Sequence, residues 1–137
     1  MIVGIGTDIC SINRFEDEEK RAALMARFYT ENERTYIESR GKGAAASAAA
    51  VFAAKEACAK ALGTGFRGFS PSEIEVVHNE DGKPTYRLLG EASLLARRKG
   101  VDRTHLSLSH DGGLAAAFAV LEGRGRRGGT ANELLWD

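Results

Sequence analysis

Residues 44–62 restrict the fold more than any other segment of the chain. They read AAASAAAVFAAKEACAKAL, and this many alanines with few β-branched side chains give a high helix propensity over about five turns. Apolar positions at helical spacing define a narrow stripe of mainly small side chains, namely Val51, Ala54, Cys58 and Ala61 or Leu62. Gly63 follows as a left-handed cap. The segment therefore predicts a long central helix against which another element packs closely.

The rest of the chain predicts antiparallel strands and shorter helices. Residues 2–9 read as a strand, and its Gly4 and Gly6 permit a close backbone approach. Helices are predicted near residues 16–27, 30–39 and 90–99, the second with a capping box. Asp-Gly turns predict hairpins between residues 74–78 and 85–89 and between residues 104–109 and 114–121. This order predicts an α+β domain, an antiparallel sheet with one long central helix.

Length and composition bound the organisation and the partners. With 137 residues, we expect a single small domain over residues 1–122 and a flexible tail over residues 123–137. The chain has 19 lysines and arginines and 19 aspartates and glutamates, so its formal net charge is zero. The net charge therefore does not favour binding to nucleic acid or to an anionic membrane. Cys10 and Cys58 lack metal-ligand spacing, which predicts buried or partly buried free thiols. Without a signal peptide or a membrane-spanning run, a cytoplasmic protein is expected.

Two carboxylates and a lysine are the residues best suited to chemistry. Asp8 lies near the end of the first predicted strand, whereas Glu56 and Lys60 lie four residues apart on the long helix. One or two carboxylates, together with substrate phosphates and waters, commonly hold Mg²⁺, and a lysine one turn away can meet the same phosphates. The alternative is an ordinary surface pair between Glu56 and Lys60, which contributes a few tenths of a kcal/mol.

Two other motifs have local explanations. Gly63-Thr64-Gly65 follows a helix C-terminus, where the dipole end is negative, so capping is its first role rather than phosphate binding. Ser107, Ser109 and His110 end a predicted strand, and neighbouring strand residues point apart. A serine nucleophile beside its histidine base is therefore not indicated, and a hydrogen-bonding strand end is favoured.

Four stretches of the sequence carry a family resemblance. They are GIGTDI at residues 4–9, FAAKEACAKALGTG at 52–65, DGKP at 81–84 and SLSHDGGLAAAFAV at 107–120. In this order and spacing the chain resembles the bacterial holo-acyl-carrier-protein synthases, the small 4'-phosphopantetheinyl transferases. The resemblance covers most of residues 1–121.

The resemblance implies a transferase of fatty acid biosynthesis. It would move the phosphopantetheine arm of coenzyme A to a serine of apo-acyl carrier protein and release adenosine 3',5'-bisphosphate. Asp8 and Glu56 would bind Mg²⁺, Lys60 would steady the pyrophosphate, and Arg14 would face the carrier protein. The other residues implied to contact coenzyme A are Gly63, Thr64, Gly65, Pro84, Ser109 and His110. Either Glu56 or a water on the metal would accept the serine proton.

The sequence also departs from the family pattern. Val51 stands where many members have an arginine, so a contact to the 3'-phosphate of coenzyme A is lost or passes to Arg40, Lys42 or another basic residue. The resemblance further implies a homotrimer with active sites between subunits, which closed symmetry permits. Two other functions stay open: a magnesium-dependent nucleotide pyrophosphatase, which would use the same two acids and lysine, and a non-catalytic module that binds coenzyme A or carrier protein.

Overall fold

The structure is a computed structural model, and it describes residues 1–124. This part of the chain contains nine helices and strands. They are β1 (Ile2–Ser11), α1 (Glu18–Phe28), α2 (Glu31–Glu38), α3 (Ala44–Leu62), β2 (Ile74–His78), β3 (Pro84–Leu88), α4 (Gly90–Arg98), β4 (Val101–Asp111) and β5 (Leu114–Gly123). Short 3₁₀ turns at Ile12–Phe15, Gly41–Gly43 and Pro71–Glu73 connect them. Most of the predicted tail lies outside the described residues, and β5 ends one residue past the predicted boundary.

The strands form two antiparallel sheets. A three-stranded sheet has the order β1-β5-β4, and β2 pairs with β3 in a separate hairpin. In the larger sheet Asp8 pairs with Ala117, and Ala117 pairs with Leu108. The predicted α+β class and both predicted hairpins are confirmed.

Local signals account for the ends of the central helices. Thr30 caps α2 through the predicted capping box with Glu33, in which each side chain accepts a backbone N–H of the other residue. Gly63 ends α3 with φ of +86°, a left-handed conformation that glycine adopts without strain. Its N–H donates to the Lys60 carbonyl, and the Gly65 N–H donates to the Ala59 carbonyl. Both predicted caps are therefore confirmed.

Helix α3 lies at the centre of the molecule and is buried on most of its surface. Strands β1 and β5 pack along it, and so do α2 and β2. The prediction of one narrow stripe is wrong, because Ala49, Ala53, Lys55 and Ala59, outside that stripe, are buried as well. Alanine is small enough to pack on several sides, which the pattern of larger apolar residues did not reveal. Cys10 and Cys58 are free and buried, as predicted.

Candidate active site

Asp8 and Glu56 approach each other across the contact between β1 and α3. Both side chains are partly buried, and Asp8 lies on the face of β1 that carries the buried Gly6 and Cys10. Burial raises the pKa of Glu56 above its ordinary value, and the negative charge of Asp8 raises it further. Two partly buried carboxylates repel each other at close range, and a cation bound between them would relieve this repulsion.

Lys60 completes the cluster from the next turn of α3. Its Nζ lies 3.1 Å from Asp8 Oδ1 and 3.0 Å from the Thr7 carbonyl oxygen. The alternative interpretation paired Lys60 with Glu56, but no ion pair within 4.0 Å joins these two residues in the structure of residues 1–124. An ammonium group has three N–H donors, so one remains for a ligand.

Two glycines of β1 set the distance between the strand and the helix. A Cβ on Gly6 would lie 1.9 Å from the Ala57 carbonyl oxygen, and a Cβ on Gly4 would lie 1.9 Å from that of Ala61. The strand backbone therefore rests directly on the helix backbone, as the small residues predicted. Ala57 follows Glu56 in α3, so this contact also fixes how far Asp8 lies from Glu56.

Arg14 lies beside the acid pair. Its guanidinium carbon is 5.0 Å from the centre of the Phe52 ring, and its Nη1 is 3.7 Å from Cys10 Sγ. The positive charge of Arg14 lowers the pKa of Glu56, against the larger effect of burial. The guanidinium is exposed, so a partner that reaches the acid pair would pass close to it.

The turn after α3 uses its own backbone donors within the helix cap. The N–H groups of Gly63 and Gly65 donate to carbonyl oxygens of α3, and the Thr64 hydroxyl donates to the Gly65 carbonyl. This agrees with the capping role that the helix dipole predicted. Pro84 lies apart from this turn, at the start of β3, where it pairs with His78.

Ser109 and His110 lie at the opposite edge of the three-stranded sheet from Asp8. Their strand, β4, is separated from β1 by β5. Both residues line a cavity of about 400 Å³ between β4, the end of α2, the start of α3 and the β2–β3 turn. None of Asp8, Glu56 and Lys60 lines this cavity. Within one chain, the predicted site residues thus form two separate groups.

A buried ion pair next to the site was missed in the sequence. Lys55 Nζ lies 2.8 Å from Glu33 Oε1, and both side chains are almost fully buried. The same Nζ donates to the Pro71 and Ile74 carbonyls, while Glu33 accepts the Val76 N–H. This network fixes α3 to α2 and β2. Its sequence signal was weak, since a lysine beside Glu56 in a helix suggests solvent exposure.

The donor set at the acid pair fits a magnesium ion. No group of three or more histidine, cysteine, aspartate or glutamate side chains forms a metal cluster within residues 1–124. Asp8 and Glu56 would offer two carboxylates to such an ion, and the remaining ligands would be substrate oxygens and waters. Mg²⁺ is commonly bound in this way, whereas a structural site would require a fuller set of protein ligands.

Comparison with known proteins relates this chain to one family. The sequence profile of the 4'-phosphopantetheinyl transferase superfamily matches residues 4–119. The holo-[acyl-carrier-protein] synthase of Treponema denticola is 42% identical over 123 residues, which cover 90% of this chain and 100% of that protein.

None of the helices in the described part of the chain is long and apolar enough to cross a membrane.

Solved structures agree with the sequence match. The crystal structure of the Neisseria meningitidis holo-[acyl-carrier-protein] synthase has a TM-score of 0.79 and 38% identity, and the match covers 89% of this chain and 99% of that one. The Bacillus anthracis synthase in complex with CoA (3',5'-ADP) has a TM-score of 0.73 and 38% identity, over 90% of this chain and 98% of that one. Both are similar to this chain along nearly their full length.

Proposed function

The chain belongs to the 4'-phosphopantetheinyl transferase superfamily and is an enzyme of its holo-acyl-carrier-protein synthase family, and on this premise we propose its full reaction. It transfers the 4'-phosphopantetheine group of coenzyme A to a serine of an apo-acyl carrier protein and releases adenosine 3',5'-bisphosphate. The reaction depends on Mg²⁺. The observation that carries the proposal is the cluster of Asp8, Glu56 and Lys60, two carboxylates and an ammonium group that lie close together, a set suited to a metal ion and substrate phosphates.

In this reaction the serine Oγ attacks the pyrophosphate phosphorus that bears the pantetheine arm. The bond from that phosphorus to the bridging oxygen breaks, and the electron pair leaves with adenosine 3',5'-bisphosphate. Phosphoryl transfer is catalysed mainly by positioning and charge stabilisation. Asp8 and Glu56 would hold Mg²⁺, which when bound offsets the charge that develops on the phosphate oxygens.

Lys60 and Glu56 have further roles in this mechanism. Lys60 has an N–H left after its bonds to Asp8 and Thr7, and this donor would bind a pyrophosphate oxygen as charge moves to the leaving group. The serine proton would pass to the Glu56 carboxylate or to a nearby water.

We propose that the enzyme is a homotrimer whose sites lie between subunits. The face of β1 and β5 that points away from α3 exposes large apolar side chains, among them Ile5, Ile9 and Phe118. Such a continuous apolar sheet face is usually covered by a partner. In a closed ring, the His110 side of one subunit could meet the Asp8 side of the next, which would join the two groups that a single chain keeps apart.

Arg14 would then contact the acyl carrier protein. Its exposed guanidinium lies close to the acid pair, where the incoming serine must arrive. A positive group at this place would attract a carrier protein with an acidic surface and raise the association rate.

Mass spectrometry of the carrier protein tests the reaction. The protein is incubated with coenzyme A, Mg²⁺ and an apo-acyl carrier protein, and the carrier is weighed. We expect one phosphopantetheine to be added, and we expect Asp8→Ala or Glu56→Ala to reduce the rate by about 10²–10³-fold, as for loss of other transition-state charge stabilisers. Glu91→Gln is the matched acidic control, because Glu91 is an exposed residue in the first turn of α4, an element that carries none of the predicted site residues, and it should keep full activity.

The same experiment separates the two other functions. A nucleotide pyrophosphatase would hydrolyse coenzyme A in the absence of carrier protein, which is detected as free adenosine 3',5'-bisphosphate. A non-catalytic module would bind coenzyme A without turnover and would tolerate Asp8→Ala. Transfer that is equal in the wild type and in both alanine variants would contradict the proposed site.

A further inference from the structure

Lys55 is a buried charged residue beside Glu56 in α3, and the mechanism above does not use it. Its side chain is only 1% exposed. The ammonium nitrogen lies 2.8 Å from Glu33 Oε1, 2.8 Å from the Ile74 carbonyl oxygen and 3.0 Å from that of Pro71. An ammonium group has three N–H donors, and these three acceptors use all of them. Lys55 therefore has no donor left for a substrate.

The three acceptors belong to parts of the fold that are themselves held in place. Ile74 begins β2, and Pro71 begins the 3₁₀ turn before that strand. The second carboxylate oxygen of Glu33 accepts the N–H of Val76, also in β2. Hydrogen bonds are directional and weaken steeply as the angle at the donor closes. Three of them on one buried nitrogen thus hold Lys55, and with it α3, in one orientation toward α2 and β2.

This orientation also determines where the Glu56 carboxylate lies. Successive residues of an α-helix point about 100° apart, so Lys55 faces α2 and β2 while Glu56 faces the side of β1, where the charge of Asp8 raises its pKa. The contact of Gly6 with Ala57 sets how closely β1 and α3 approach, but a contact without directional bonds does not fix the rotation of the helix. A rotation of α3 about its axis moves both side chains together.

Resting on the proposed function, we propose that Lys55 is a positioning residue of the transferase, whose buried ammonium group holds α3 at the rotation in which Glu56 and Asp8 share one metal ion. Lys55 acts through the helix and not through its charge. The charges that shift the pKa of Glu56 are those of Asp8, Lys60 and Arg14, and Lys55 is not among them.

The double variant Lys55→Met/Glu33→Gln tests this assignment. It removes the ion pair without leaving a charge buried and unpaired, so it should be more stable in urea than Lys55→Met alone. The methionine fills the space but makes none of the three directional bonds. A displacement of about 1 Å reduces a rate about 10²-fold, and we therefore expect kcat of the folded double variant to fall about 10-fold or more, while the KM for the carrier protein changes little.

Two further measurements do not require transfer and would not respond to a loss of stability alone. The affinity for Mn²⁺ in the presence of coenzyme A should fall in the folded double variant. In the metal-free protein, NMR titration should find the pKa of Glu56 closer to 4.5 than in the wild type, because the carboxylate lies farther from Asp8. Arg87→Met is the matched control, since it removes a cation 3.8 Å from the buried Glu75 carboxylate within the β2–β3 hairpin, and it should keep the wild-type values.

The outcomes separate this inference from the proposed reaction. A wild-type protein that transfers nothing, but whose Mn²⁺ affinity and Glu56 pKa change as expected in the double variant, would contradict the proposed reaction alone. A folded double variant with wild-type Mn²⁺ affinity and Glu56 pKa would overturn the positioning role, whether or not kcat falls. An equal loss of Mn²⁺ affinity in Arg87→Met would overturn it as well.

Discussion

Gly6→Ala is expected to disable the enzyme by moving β1 away from α3. The added Cβ would lie 1.9 Å from the Ala57 carbonyl oxygen, about 1.5 Å short of the 3.4 Å at which ordinary contact begins. The backbone fixes the positions of both the added Cβ and the carbonyl oxygen, so no side-chain rotation can relieve the clash. Strand and helix must separate, and Asp8 moves with the strand while Glu56 and Lys60 stay with the helix.

Two quantities follow from this displacement. Overpacking of a well-packed contact costs about 1–3 kcal/mol of unfolding free energy, which urea unfolding followed by circular dichroism measures. A displacement of about 1 Å in a reacting group reduces the rate about 10²-fold, so kcat should fall by at least this factor under conditions in which the variant is folded. The metal affinity should fall as well. It can be measured in the presence of coenzyme A by electron paramagnetic resonance, with Mn²⁺ in place of Mg²⁺.

Gly123→Ala is the matched control for this effect. A Cβ on Gly123 would also lie 1.9 Å from a backbone oxygen, that of Gly100, but this contact joins β5 to the start of β4. The control should lose comparable stability and keep the kcat and metal affinity of the wild type. The reasoning is refuted if folded Gly6→Ala keeps wild-type kcat, or if Gly123→Ala loses as much kcat as Gly6→Ala.

Phe118→Asp puts a charge on the exposed face of β1 and β5, so light scattering should detect monomers and transfer should be lost; an active monomer would contradict a site shared between subunits. Lys55→Met leaves the Glu33 carboxylate buried without its cation, and urea unfolding should show a loss of about 3–5 kcal/mol, part of which Glu33→Gln restores in the double variant; equal stability of the Lys55→Met variant and the wild type would contradict this. Because burial and the Asp8 charge raise the pKa of Glu56, NMR titration of the metal-free protein should find it above 4.5, and Asp8→Asn should lower it. An Asp8→Asn variant in which the pKa of Glu56 rises would contradict this. Because the folded state binds the Glu56 proton more tightly than the unfolded state, the contribution of Glu56 to the unfolding free energy falls as pH rises from 4.5 through the raised pKa.

Local signals in the sequence determined most of the secondary structure. The alanine-rich segment and Gly63 predicted α3 with its bounds, because helix propensity and a left-handed cap act over a few residues. The capping box of Thr30 and the Asp-Gly turns of both hairpins acted in the same way. Gly4 and Gly6 even predicted the close contact on which the acid pair depends, although not its partner.

The resemblance of four motifs identified the family, and it favoured chemical roles for Asp8, Glu56 and Lys60 over an ordinary surface pair. Their roles remain predictions for the experiments above. What the sequence could not supply was the partner of each side chain. Lys60 pairs with Asp8 rather than with Glu56, because β1 passes beside α3 at a contact between residues 52 positions apart.

Only the tertiary structure decided where the charged groups and the cavities lie. Lys55 has the same local surroundings as an exposed helix lysine, yet α2 and β2 cover it and Glu33 pairs with it. The sheet order places β5 between Asp8 and His110, so these two groups of predicted site residues are separate within one chain. Strand order, helix burial and the ion-pair partner of Lys60 all depend on contacts between distant parts of the chain, and no spacing within a single segment encodes them.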